Sequence, residues 1–130
     1  TIDRSRDTPA HYACLYGHVP ALKKLIGGGC NVSAANRDGI TPLHNAACFN
    51  HTDALEELVA AKACLDARDA TGNTALHTAA FMGNSRAVEI LLAAGAGADI
   101  ENDNGATALS MAVQFEKEET AQALRDHRFR

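Results

Sequence analysis

Tryptophan is missing from this chain, and four phenylalanines and two tyrosines are its only large aromatic residues. Aromatic residues make up 5% and hydrophobic residues 46%. A core must therefore be built from Ala, Leu, Val and Ile, side chains that suit helices packed closely side by side. Basic excess is missing too. The net charge of -4 and pI near 5.8 give no positive field for a phosphate backbone, so no nucleic-acid partner is expected. No apolar run approaches the about 18 residues of a membrane-spanning helix, and no membrane partner is expected either. The cysteines, Cys14, Cys30, Cys48 and Cys64, include no Cys-x-x-Cys, which removes the ligand spacing of a zinc knuckle. The triplet Gly27-Gly28-Gly29 has no Lys-Ser/Thr after it and no strand pattern before it, so it is not a phosphate cradle.

What the chain does have is a repeat. Thr41-Pro42-Leu43-His44 returns 33 residues later as Thr74-Ala75-Leu76-His77, and stands 33 residues earlier as Thr8-Pro9-Ala10-His11. A fourth copy, Thr107-Ala108-Leu109-Ser110, keeps the register. The second halves agree as well, with Leu58-Val59-Ala60-Ala61-Lys62-Ala63 matching Leu91-Leu92-Ala93-Ala94-Gly95-Ala96. A 33-residue period carrying Thr-Pro-Leu-His-x-Ala resembles the ankyrin-repeat family over nearly the whole chain. That resemblance implies an all-α solenoid with short β-hairpin loops, a stack of four helix–loop–helix units. They form a single domain over 1–130, with units at about 3–34, 35–67, 68–100 and 101–130, the last a C-terminal cap.

Local chemistry supports those elements. Thr8 offers an N-cap hydroxyl and Pro9 suits the first helical position, so a short helix is expected to Tyr16, ending at Gly17. Pro20 opens a second helix with Leu22, Leu25 and Ile26 on one face, and the glycine triplet is expected to leave its end frayed, the softest joint of the array. Asn50 replaces Gly17 and Gly83 at a helix end that favours a left-handed residue, and Lys62 replaces Gly29 and Gly95, implying local strain. Arg6 stands where later copies have Gly39, Gly72 and Gly105, so the first hairpin is expected to be absent, altered or cut. Arg125 stands where Ile26, Val59 and Leu92 stand in earlier copies; with Gln122 and Glu119 it marks a polar terminal face. The first copy shows no such face, with Leu15, Leu22 and Ile26 in its place, so the natural protein is expected to continue upstream of Thr1.

His11, His44 and His77 recur at one position. A column of imidazoles a full repeat apart cannot converge to the roughly 2.0–2.1 Å of a zinc shell. Each ring is expected instead to bridge its own threonine and the next hairpin's backbone, as the family resemblance also implies. His18 and His51, at helix ends, could aid capping. Cys14 with His11 and His18 is the nearest approach to a nucleophile and base, but the group is split by a turn and lacks a third member. No catalytic residue, metal or cofactor is expected. In such a stack Cys14 and Cys48 lie on neighbouring first helices, whose axes are about 8–10 Å apart, beyond the roughly 4.4–6.8 Å Cα separation of a disulfide. Free thiols in a reducing, intracellular compartment, cytoplasm or nucleus, are the expectation.

The promising pattern lies at the end of each first helix. Tyr16, Phe49, Met82 and Phe115 are spaced by 33, as are Leu15, Cys48, Phe81 and Gln114. The resemblance implies that these positions face a concave groove, extended by the tips Arg37-Asp38, Ala70-Thr71 and Asp103-Asn104. About half of the ladder's area is expected to be internal packing. The function implied is binding of a protein or peptide, by a monomer, through Tyr16, Arg37, Asp38, Cys48, Phe49, Thr71, Phe81, Met82 and Phe115. The alternative is a regulatory or substrate-recruiting segment of a larger enzyme, channel or ubiquitin-ligase adaptor.

Overall fold

A computed structural model describes residues 6–128. Eight helices follow one another in pairs: α1 (Pro9–Tyr16) and α2 (Val19–Gly27), α3 (Pro42–Cys48) and α4 (Thr52–Ala60), α5 (Ala75–Met82) and α6 (Ser85–Ala93), α7 (Ala108–Gln114) and α8 (Glu118–Arg128). Among the described residues there is no strand. Each first helix packs on the next first helix, α1 on α3, α3 on α5 and α5 on α7, and the second helices stack likewise. The result is two parallel layers of helices with the seam between them as core.

Every first helix starts for the same reason. Thr8, Thr41, Thr74 and Thr107 sit in extended backbone, and each hydroxyl accepts from the amide three residues on. The side chain at that third position, His11, His44, His77 or Ser110, closes the reciprocal half of the box. Small residues let the layers approach: Ala46, Ala79 and Ala112 are fully buried, while Leu55, Leu58 and Leu91 fill the seam beside them.

The loops are hairpin-shaped but too short for a strand ladder. Asn36, Asp69 and Asn102, again 33 apart, organise them. Each side-chain oxygen accepts two backbone amides, from Asp38 and Ile40, Thr71 and Asn73, or Asn104 and Ala106. Neighbouring tips are then sewn together, the Ala70 amide donating to the Asp38 carbonyl at 2.9 Å and the Asp103 amide to that of Thr71 at 3.0 Å. Gly72 is required there twice over. Its φ is 83°, and a Cβ on it would come within 2.7 Å of the Asp103 amide nitrogen.

Some sequence expectations need correction. Arg6 adopts the same left-handed conformation as its glycine counterparts, with φ at 63°; the rest of the expected first hairpin, residues 1–5, lies outside the described residues. The glycine triplet ends α2 in hydrogen-bonded turns. The Gly29 amide donates to Ile26 and that of Cys30 to Leu25, the pattern repeated by Lys62 with Val59 and Ala63 with Leu58. Leu22 does not mark an open end, being fully buried. His51 precedes α4 without capping it by a side-chain bond; its Nε2 instead donates 3.1 Å to the Leu15 carbonyl at the end of α1. Asn84 does the same one repeat later, reaching the Ala47 and Cys48 carbonyls.

The strain expected at Lys62 is present as a φ of 65°. A side chain in the left-handed region costs about 1–2 kcal/mol, whereas glycine loses about 0.4–1 kcal/mol of unfolded-state entropy. At the equivalent Gly29 and Gly95 nothing lies near a Cβ, so packing does not enter. Lys62→Gly should therefore stabilise the fold by about 0.5–1 kcal/mol, read as a rise of about 2–4 °C in thermal midpoint.

Candidate protein-binding face

The histidine column holds the face rigid. His11 Nδ1 accepts from the Thr8 amide at 3.0 Å and its Nε2–H donates to the Ile40 carbonyl at 2.7 Å. His44 repeats this with Thr41 at 3.1 Å and Asn73 at 2.9 Å, and His77 with Thr74 at 3.1 Å and Ala106 at 2.8 Å. A backbone amide can only donate and a carbonyl can only accept, so the geometry selects the neutral Nε2–H tautomer. Both nitrogens of each ring are committed to holding a helix start against the next loop. Burial pushes the His44 imidazole below its ordinary value of 6.5, against the raising effects of the Asn73 bond and Asp69.

On this scaffold the ends of the first helices present a row of apolar side chains. Tyr16 is 63% exposed, Phe49 50%, Met82 42% and Phe115 42%, with Phe81 at 43% beside them. Roughly half of each is thus available to another molecule, and the rest is packing. Phe81 meets Phe115 edge to face with ring centroids 4.7 Å apart, joining the third and fourth units. Tyr16 and Phe49 each lie against a histidine two residues later, His18 at 6.1 Å and His51 at 6.3 Å. Cys48 is half-buried among them.

Sequence reasoning missed Tyr12 and Val113, which are 40% and 51% exposed; both break the 33-residue pattern, so the register that found the others could not find them. It also missed Asn36, Asp69 and Asn102, although their spacing was legible. The tips Arg37, Asp38 and Thr71 are exposed as expected. The hydroxyl of Thr71, however, is engaged within its loop, donating to Asp69 at 2.8 Å and accepting from Asn73 at 3.1 Å. Arg68, unforeseen, binds the Gly72 and Glu101 carbonyls and pairs with Asp103 at 3.5 Å.

Charge is segregated between the two layers. None of α1, α3, α5 and α7 carries an Asp, Glu, Lys or Arg. The second helices carry Lys23, Glu56, Glu57, Arg86 and Glu89, linked by exposed ion pairs of 3.5–3.8 Å that add little stability. The first unit carries a further, mainly apolar surface that shares Tyr16 with the row and is bordered by His18 and Lys24. Pro9, Tyr12, Tyr16, Ala21 and Leu25 contribute to an open hollow of about 590 Å³ there. On α8 Glu119, Gln122 and Arg125 are exposed.

Cys14, of the Cys14/His11/His18 group, is buried. Burial, with Cys30 adding to it, pushes the Cys14 thiol up to about 12, and both nitrogens of His11 are engaged. Cys48 is also pushed up by burial. All four cysteines are free thiols. No helix among the described residues is long and apolar enough to cross a membrane.

Stacked helix pairs with looped tips sewn edge to edge define a solenoid. The family model described as ankyrin repeats (3 copies) matches residues 2–69 and 62–130, and the chain belongs to the ankyrin-repeat family. Its members are, as a class, protein-interaction modules and typically non-catalytic. A search of curated protein sequences returned no match.

Proposed function

We propose that this chain is a non-catalytic, monomeric module, of four units divided near 34/35, 67/68 and 100/101, that binds a protein or peptide along a concave face. Tyr16, Cys48, Phe49, Phe81, Met82 and Phe115 form the floor of that face, and Arg37, Asp38 and Thr71 its rim. One observation carries the reading: the first-helix layer exposes a row of large apolar side chains and bears no charge. Aromatic and thioether anchors on an uncharged floor with a polar rim match the composition of interface hot spots. The free thiols support a reducing compartment.

The double variant Phe49→Ala/Met82→Ala tests this. Both side chains are about half exposed, so the helices should persist with unchanged circular dichroism while affinity for a captured partner falls at least about 100-fold, two hot-spot truncations of at least about 1.4 kcal/mol each. An affinity within threefold of the parent would rule the face out.

A further inference from the structure

We propose that the hollow where the second, third and fourth units meet is an anchor pocket for one aliphatic side chain, of leucine or methionine size, on an uncharged stretch of the partner. This rests on the first-helix face being the binding surface and adds where on it, and for what chemistry, recognition is concentrated. The hollow measures about 300 Å³ and is lined by Cys48, Asn73, Thr78, Phe81, Met82 and Met111, at the small end of ligand-accepting cavities.

Its origin is a departure from the repeat. In the column Leu15, Cys48, Phe81, Gln114 the second unit carries the smallest side chain. The large ring next in the column is held edge-on to Phe115 in the fourth unit. Cys48 therefore leaves room that a leucine or phenylalanine would fill.

The lining also selects the occupant. The Thr78 hydroxyl donates to the Thr74 carbonyl at 3.3 Å. Asn73 donates to Thr71 at 3.1 Å, and its amide oxygen accepts from Asn102 at 2.9 Å. No charged residue lines the hollow, and none lies on the first helices. A charged or strongly polar side chain entering here loses its hydration without a counter-ion. An aliphatic chain loses nothing, and the flexible Met82 and Met111 thioethers adapt to its shape.

Cys48 is a built-in reporter, and Cys64, which is exposed, is its reference in the same molecule. The protein is equilibrated with butanethiol, 2-mercaptoethanol and their disulfides. A protein thiolate attacks one sulfur of the small disulfide; the protein–S–S–R bond forms, the R–S–S–R bond breaks, and R–S⁻ leaves with the electron pair. Equilibrium composition is read by mass spectrometry of the two cysteine peptides, so slow reaction at the buried thiol does not enter. The butyl-to-hydroxyethyl ratio should be at least about tenfold higher at Cys48 than at Cys64, the burial of one to two methylenes' worth of apolar surface. Phe81→Gln should bring the two ratios together. Ratios equal within twofold in the parent protein, or Cys48 that accepts neither adduct while Cys64 accepts both, would overturn the pocket. Such a failure leaves the binding face standing, because the Phe49→Ala/Met82→Ala measurement is made without Cys48 chemistry; loss of the face with a selective pocket is the converse pattern.

Discussion

Truncating Leu58 to alanine will cost about 3–4 kcal/mol of folding stability, while the same change at Leu25, 33 residues earlier, will cost about 1–1.5 kcal/mol. The two leucines occupy one register, yet Leu58 is fully buried and Leu25 only partly. The preceding helix pair covers Leu58; Leu25 borders the open hollow on the outer side of the first unit. Truncation of an enclosed leucine removes its transfer energy and leaves a cavity, whereas a rim leucine leaves only a shallow dent. Against a typical total of about 5–15 kcal/mol, the central change removes a large share. In a linear stack it also uncouples the first unit from the third and fourth. Urea unfolding should therefore show one broadened or split transition for Leu58→Ala and a single, slightly shifted one for Leu25→Ala. Equal costs would mean that the outer face of the first unit is covered in solution.

That contrast also marks how far the fold was legible. Helix starts were readable because threonine, a residue suited to the first turn, and a third-position partner recur in one register, and each acts locally. Helix ends were readable where glycine or asparagine stood, but Lys62 and Glu116 take left-handed backbone all the same, with φ of 65° and 60°, as does Arg6 ahead of the first helix, with φ of 63°. At Lys62 and Glu116 the amides close the helix end onto the Val59 and Val113 carbonyls, and those bonds outweigh side-chain preference. Of the candidate face, the row at Tyr16, Phe49, Met82 and Phe115 was visible as a spacing. An even split between packing and exposure was expected for the ladder as a whole, but not the share of each side chain, which depends on how each helix is rolled against its neighbours. The Cys48 hollow was invisible for a related reason. It arises from one small residue and from a phenylalanine drawn to a ring 34 positions away in the chain.

The histidine column yields the second large effect. Ser110, at the equivalent place in the fourth copy, shows the cap alone: its hydroxyl accepts the Thr107 amide at 2.9 Å and donates to the Thr107 carbonyl at 2.9 Å. Histidine thus performs two tasks, capping its own helix and bridging forward, and only the second requires an imidazole. His44→Ala should cost about 3–4 kcal/mol, because it strands the buried Thr41 amide and the Asn73 carbonyl and leaves a cavity. His44→Ser should recover about 1 kcal/mol of this by restoring the cap alone. Proton linkage gives an independent reading. With the folded-state pKa held below 6.5 by burial, the unfolded chain binds the proton more readily between the two values. The stability tied to a neutral His44 is complete above pH 6.5 and drains away as pH falls through that window, by at most about 1.4 kcal/mol per pH unit. Denaturant unfolding from pH 7.5 to 5 should show this decline in the parent protein and a flatter profile in both variants. If His44→Ser declines as steeply as the parent, the proton is taken up elsewhere and the bridge does not depend on a neutral His44.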